Sequence, residues 1–389
     1  MITVALAGKP NCGKSTFFKA ATMANVEIAN YPFTTIDANH GVAYVRTTCP
    51  CQELKVSCGQ CQNGVRFVPV GMIDVAGLVP DAHKGRGLGN QFLDHLRAAD
   101  GIIHVVDASG GTDAEGNPVP VGTHDPQEDI RFLFTEMTMW LYGIVEKHWA
   151  KIQRTAQTGN FSPAAGIAEV FAGLGITLEH VHQAEQESGA NLRKASDSDL
   201  ISFCGHLLRV AKPLILVGNK VDLAPAALLE KLRCEPITFA SAAAELALRT
   251  AAGNHLITYL PGDTSFTVLK PEALSGPQKA GLARIAEFMQ TNGGTGVQTA
   301  INRAVLDTLD LIIVYPVEDE NKFSDRQGRV LPDAFLMKRG STPRDLAHRV
   351  HTDIGKGFLY AVDARTKMRI KESYQLKQGD IIKIVSTAK

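Results

Sequence analysis

Residues 8–16 read Gly-Lys-Pro-Asn-Cys-Gly-Lys-Ser-Thr, between an apolar run over residues 2–7 and a helix-like segment over 17–21. A G-x-x-x-x-G-K-S pattern in a strand–turn–helix setting demands an α/β sheet with a phosphate-sized cradle at the strand's end. Gly8 and Gly13 let the backbone wrap an anion with several N–H groups pointing inward. The helix N-terminus adds partial positive charge. Gly8, Lys9, Pro10, Asn11, Cys12, Gly13, Lys14, Ser15 and Thr16 are therefore the candidate phosphate-binding residues. Lys14 supplies a point charge for β- and γ-phosphates and is a candidate catalytic residue; the Ser15 hydroxyl is a candidate Mg²⁺ ligand.

The remaining bounds are broad. The chain has 389 residues, 44% hydrophobic and 21% charged, enough for two or three globular domains. Its formal net charge is zero, so any nucleic-acid surface must be local and no DNA partner is expected. No apolar run approaches the ~20 residues of a membrane span. No basic segment precedes an apolar one at the N-terminus, so no secretory leader is expected. Seven cysteines, an odd number, fit a reducing cytoplasm with thiols free or metal-bound.

Two further stretches match the phosphate loop. In Asn30-Tyr31-Pro32-Phe33-Thr34-Thr35-Ile36, Pro32 excludes a continuing helix, and Thr34 or Thr35 can offer a hydroxyl to Mg²⁺ and a γ-phosphate when the loop orders. We take Thr35 as the candidate. In Gly71-Met72-Ile73-Asp74-Val75-Ala76-Gly77-Leu78 an apolar strand delivers Asp74 to its end, as a candidate Mg²⁺ residue acting through water. Gly77, three positions on, is a candidate γ-phosphate contact. Leu78 follows it and cannot orient an attacking water. His83 is a candidate for that role, with a plain loop histidine as the alternative. Residues 85–89, Gly-Arg-Gly-Leu-Gly, read as the mobile part of a second switch.

Between expected strands at 41–47 and 65–73 lie Cys49-Pro50-Cys51 and Cys58-Gly59-Gln60-Cys61. Four thiols at the tip of a hairpin suit a Cys₄ zinc site. Reduced surface thiols or a reversible disulfide are the alternatives. A buried strand is expected at 100–108, then a Gly/Pro/Asp-rich loop over 111–126. Helices are expected from Asp125 to His206, with a stripe of Ile130, Phe134, Met137, Leu141, Ile144, Val145 and Trp149.

After the apolar strand at 213–218 stands Asn219-Lys220-Val221-Asp222. The Asp222 carboxylate can accept from guanine N1–H and the exocyclic amine, a pair adenine lacks. Lys220 would lie along the base, and Asn219 would tie the loops together. Ser241-Ala242 would present backbone to the guanine carbonyl. Residues 276–306 read as helical. From Leu309 onward the pattern is strands at 311–315, 335–337, 358–362 and 380–385 around one helix at 343–352, opened by Thr342-Pro343, as in a ubiquitin-like β-grasp. Lys338, Arg339, Arg344, His348, Arg349, His351, Lys356, Arg365, Lys367, Arg369 and Lys371 make this region basic, either an RNA footprint or a solvated face.

The set G-K-P-N-C-G-K-S-T, Y-P-F-T-T-I, D-V-A-G-L-V, R-G-L-G-N-Q-F-L, N-K-V-D and D-A-F-L-M-K-R-G-S-T-P-R-D-L-A resembles the Obg/YchF family of translation-factor-class GTPases, in its archaeal-type branch, over nearly the whole chain. The resemblance implies an α/β fold with a Ras-like P-loop NTPase core (1–110 and 207–275), a helical insertion (111–206), a helical linker (276–308) and a C-terminal TGS domain (309–389). It implies bound GTP or GDP, Mg²⁺, slow intrinsic GTP hydrolysis and a ribosome or RNA partner. YchF proteins proper lack the last Asp of N-K-x-D and prefer ATP; this chain keeps Asp222, which implies GTP. Asn11 matches a phosphate-loop Asn that binds K⁺ in some related GTPases. An ATP-preferring hydrolase in stress or redox regulation, or an RNA-binding module gated by nucleotide with incidental turnover, are the alternatives.

Overall fold

The computed structural model describes residues 1–22, 39–75, 77, 97–157 and 161–387. They form two compact units. The larger holds residues 71–300 together with the N-terminal segment; the smaller holds residues 44–70 and 301 onward.

A six-stranded sheet of order β2-β3-β1-β4-β5-β6 comprises β1 (Thr3–Ala7), β2 (His40–Thr48), β3 (Val65–Asp74), β4 (Gly101–Asp107), β5 (Leu214–Asn219) and β6 (Ile237–Phe239); β1, β4, β5 and β6 lie wholly in the larger unit, with residues 40–43 of β2 and 71–74 of β3. β1 pairs in parallel with β3 and β4, β4 with β5, and β5 with β6. Every residue of β4 is buried. Central parallel strands are covered on both faces, which is why this one is apolar apart from the buried His104 and the closing Asp107. α1 (Lys14–Thr22) leaves the phosphate loop directly.

The helical block is α3 (Pro126–Gln157), α4 (Pro163–Val170), α5 (Leu178–Ser188) and α6 (Asp197–Ala211); α2 (Cys51–Leu54) lies earlier, in the smaller unit. Pro126 at the first turn, with Glu128 and Asp129 beside it, suits a helix start. The expected stripe of α3 is the packing face: Met137, Leu141 and Val145 are buried, and Ile144, Phe134 and Trp149 pack against the same core. Leu133 joins them, with Phe171 and Phe203 from across the block. α5 and α6 open with reciprocal capping boxes at Thr177/His180 and Ser196/Asp199. The helices begin at Pro126; residues 109–124 instead form a loop closed by its own backbone bonds, among them Val119 N–H to Gly111 O and His124 N–H to Gly110 O.

α7 (Ala226–Leu232) and α8 (Ala242–Gly253) flank β6, followed by a short ribbon of β7 (Ile257–Thr258) and β8 (Thr267–Val268). The expected helix over 276–306 is interrupted. α9 (Gly276–Asn292) ends at Gly293 in the left-handed conformation, and α10 (Val297–Asn302) continues as a π-helical turn over Arg303–Thr308.

In the smaller unit, β9 (Leu311–Val317), β10 (Phe335–Lys338), β11 (Phe358–Asp363), β12 (Met368–Ile370) and β13 (Ile381–Ser386) make a sheet of order β10-β9-β13-β11-β12. β9 and β13 are parallel and the other pairs antiparallel. α11 (Pro343–Val350) covers it, burying Leu346 and Ala347 against Ile312, Val314, Phe358 and Ile382. Thr342 and Asp345 cap α11 reciprocally. The helix expected over 343–352 stops at Val350, where His351 turns extended and caps the short α12 (Thr352–Lys356). This mixed sheet with one covering helix is the β-grasp arrangement.

Candidate nucleotide site

The phosphate loop runs from β1 into α1 beneath the ends of β4 and β5. Gly13 adopts φ +98°, and a Cβ there would stand 2.2 Å from Asn219 Nδ2, so only glycine lets this amide close on the loop. Asn219, 2% exposed, donates from Nδ2 to Cys12 O at 3.1 Å and accepts on Oδ1 from Ala242 N–H at 3.0 Å. It therefore bridges the phosphate loop to the start of α8. Lys220, in the left-handed conformation, sends Nζ to Asn11 O at 2.7 Å and to Asp107 Oδ2 at 2.8 Å. Asp107 and Asn219 face each other in the β4–β5 register. Burial opposes charge on Asp107, but the Lys220 ammonium and the Ser109 and Thr112 hydroxyls outweigh it and hold the carboxyl below its usual range. Asp222 lies exposed on the turn after Lys220, with no hydrogen-bond or ion-pair partner among the described residues.

The metal-binding residues also converge. Ser15 Oγ donates to Asp74 Oδ2 at 2.8 Å, and Asp74 Oδ1 is buried with no partner among the described residues. A hydroxyl and a carboxylate with a spare oxygen form a hard donor pair that fits Mg²⁺. Lys14, buried, folds back onto its own loop, with Nζ donating to Gly8 O at 3.1 Å and Lys9 O at 2.8 Å. Gly77 lies against the loop too: a Cβ there would come within 2.9 Å of Pro10 N. Thr34, Thr35, Leu78, His83 and residues 85–89 lie outside the described residues.

Several placements differ from expectation or escaped it. Ser241 N–H donates to Thr295 O and Ser241 Oγ caps α8, while Ala242 N–H is taken by Asn219. The two amides assigned to the guanine carbonyl thus have partners inside the protein, because residues after α9 close over the start of α8. Lys9 is buried and its ammonium faces Asp129 Oδ2 at 2.8 Å and Thr112 O at 2.8 Å, so any part it plays at a phosphate is through its main chain. Asp129 also meets His124 Nε2 at 2.8 Å. Asn11 donates from its amide to Gly116 O at 3.0 Å. The loop over 109–124 is therefore a brace on the phosphate loop. An Asp ending a mostly apolar strand was the one sequence signal for Asp107. Nothing local marks Asp129, which reads as an ordinary helix-start acid.

In the smaller unit, part of the basic character is locally balanced. Arg339 pairs with Asp310, Arg344 with Glu372, and Arg365 with Glu53. Lys367 donates to Glu320 O, and Arg369 lies over the Tyr360 ring. Lys338, Arg349, Lys356 and Lys371 are exposed.

A phosphate loop, a Ser–Asp metal pair and an N-K-x-D turn locked to that loop define a P-loop nucleotide-binding protein of the GTPase class, carried with a β-grasp domain. Residues 3–132 match the family model described as 50S ribosome-binding GTPase, residues 217–319 that of the Obg-like GTPase YGR210-like G4-motif domain, and residues 327–386 that of the TGS domain. A GTP-binding protein of Methanocaldococcus jannaschii, described as uncharacterized, is 47% identical over the full length of both chains. A crystal structure of a GTP-binding protein from Pyrococcus horikoshii is 41% identical, with a TM-score of 0.78 over 99% of this chain and 100% of that one. The protein named ribosome-binding ATPase YchF of Mycoplasma genitalium is 33% identical over 56% of this chain and 55% of its own. The chain belongs to the Obg/YchF family of GTP-binding proteins. No helix among the described residues is long and apolar enough to cross a membrane.

Proposed function

We propose that the protein is a Mg²⁺-dependent GTPase that reads guanine through Asp222 and changes state with the γ-phosphate at the ribosome. One observation carries the base preference: Asn219 and Lys220 are already tied to the phosphate loop, while the Asp222 carboxylate is exposed and without a partner among the described residues. A donor pair on the base is what that carboxylate lacks. Relatives' names divide between GTP-binding and ATPase, and Asp222 favours the first.

At the phosphates, Lys14 exchanges its two carbonyl partners for β- and γ-oxygens. Ser15 and Asp74 would hold Mg²⁺, which neutralises charge developing on the transferred phosphoryl group. Gly77 N–H and Thr35 would sense the γ-phosphate. Since Leu78 cannot direct water, His83 or a partner would, and intrinsic turnover is slow. A potassium role for Asn11 rests on its amide oxygen, since its amide nitrogen is spent on Gly116. Ribosome contact is supported by the name of the family model over residues 3–132 and by the exposed lysines and arginines of the β-grasp domain.

Two assays test this reading. Phosphate release should be faster from GTP than from ATP, with Lys14→Ala as the blank. Purified large ribosomal subunits should co-sediment more protein with a non-hydrolysable GTP analogue than with GDP. Equal turnover of ATP would remove the guanine assignment; equal sedimentation in both nucleotide states would remove the switch.

A further inference from the structure

Cys49, Cys51, Cys58 and Cys61 are held in one cluster by a segment that has almost no other interior. Their four Sγ atoms all lie within 4.8 Å of one another, with Cys49 to Cys58 at 3.8 Å and Cys51 to Cys61 at 3.5 Å. A Zn–S bond of about 2.3 Å sets the edges of a thiolate tetrahedron at about 3.8 Å. All four are free thiols, with no pair at the roughly 2.05 Å of a disulfide.

The surroundings are those of a ligand cage. Cys49 N–H is anchored to Gly64 O at 2.8 Å. α2 begins on Cys51 and closes after one turn at the left-handed Lys55, returning Val56 N–H to Cys51 O. Gly59 turns the chain between the second pair, and Gln60 N–H points at Cys58 Sγ from 3.4 Å. Such N–H donors orient thiolate ligands from the second coordination layer. From 49 to 64 the only buried residues are Cys49, Pro50, Cys51 and Cys58. A segment this short, without an apolar core, requires a cross-link or a metal to hold one shape.

We propose that these four cysteines bind one structural Zn²⁺ ion, which serves as the core of the β2–β3 tip. Four thiolates complete a tetrahedron and leave no open position, so the ion has no role in hydrolysis. Its effect reaches the β-grasp sheet. Glu53, in the helix that starts on Cys51, receives Arg365 Nε and Nη2, both at 3.2 Å. Arg66, after the second cysteine pair, donates to Pro332 O at 3.2 Å and lies over the buried Tyr315 ring. The Glu53–Arg365 pair is solvent-exposed and weak alone. It becomes a fixed contact only if α2 is itself fixed.

The test uses the full chain, purified under reducing conditions without chelator. Elemental analysis should give one zinc per chain, retained in Lys14→Ala, which disables only the nucleotide site, and lost in Cys51→Ser and Cys58→Ser. Cobalt exchanged into the wild type should show thiolate charge-transfer and tetrahedral d–d absorption bands. Should the serine variants fail to fold, a mercurial reagent on the wild type should release one zinc per chain to a chromogenic dye. Trypsin should then cut at Lys55, which the loaded protein protects. Less than 0.1 zinc per chain with seven free thiols after denaturation, a mass deficit showing a disulfide, or iron in place of zinc would each overturn the proposal.

Discussion

The two sides of the nucleotide site differ in how finished they are. On the base side, Asn219 and Lys220 each hold one carbonyl of the phosphate loop, Cys12 O and Asn11 O; Asn219 also accepts from Ala242 N–H, and Asp107 fixes Lys220 from β4. On the phosphate side, Lys14 rests on two carbonyls of its own loop, and Ser15 rests on Asp74. In the proposed function the base side is preorganised, so a guanine base would meet residues that need not move. On the same proposal the phosphate side would have to exchange partners, so free energy from phosphate and metal binding would go into conformational change there. A switch needs that division, because only a region with two sets of partners has two states.

The largest expected effect comes from breaking the support beneath both sides. Lys9 and Asp129 form a buried ion pair at 2.8 Å. Asp129→Ala strands the lysine and should lower unfolding free energy by about 3–5 kcal/mol, read by urea denaturation. Next, Asn219→Ala strands a carbonyl on the phosphate loop and an amide at α8. Each should cost about 1–3 kcal/mol, with loss of guanine and adenine nucleotide binding alike. Stability within about 0.5 kcal/mol of wild type would mean that the base side is not a lock.

Asp74→Asn separates the sides. Affinity for GTP with Mg²⁺ should fall roughly tenfold, about 1.4 kcal/mol, while affinity in EDTA stays unchanged. A loss of the same size in EDTA would place Asp74 in the lock rather than at the metal. The smallest effect is acid dependence. Asp107 is held below its usual range, so its contribution is complete above the unfolded value of about 3.9 and disappears as pH falls through the lower folded value. In Asp107→Asn, Tm should fall less steeply than in wild type as pH drops below about 4. Parallel acid limbs would show that Asp107 is not charged against Lys220.

Local pattern carried the elements that local physics determines. The strand–loop–helix at 3–22, the buried run of β4 and the stripe on α3 are periodicities within one segment, and they are legible without the fold. The Cys₄ cluster was legible for the same reason, since all four residues lie on one short loop. The brace was not. Asn11 reaches Gly116 and Lys9 reaches Asp129 only because the loop after β4 folds back, and composition shows that loop only as Gly/Pro/Asp-rich. β12 escaped because its three residues are mostly exposed, with Met368 and Arg369 outward. The break at Gly293 was masked by good helix formers on both sides. Ser241 and Ala242 show the limit of a motif: the sequence indicates that two amides lie near a base, but not that Thr295 and Asn219 engage them first.

If the proposal holds, a preorganised base side completed by Asp222 selects guanine. Calorimetric titration of wild type and Asp222→Ala with GTP, GDP and ATP tests it most directly. Guanine nucleotides should bind the wild type well ahead of ATP. In the variant, guanine affinity should drop on the order of 100-fold, for two hydrogen bonds to a charged group, with folding stability unchanged. ATP bound as tightly as GTP by the wild type, or guanine affinity untouched by the substitution, would contradict it.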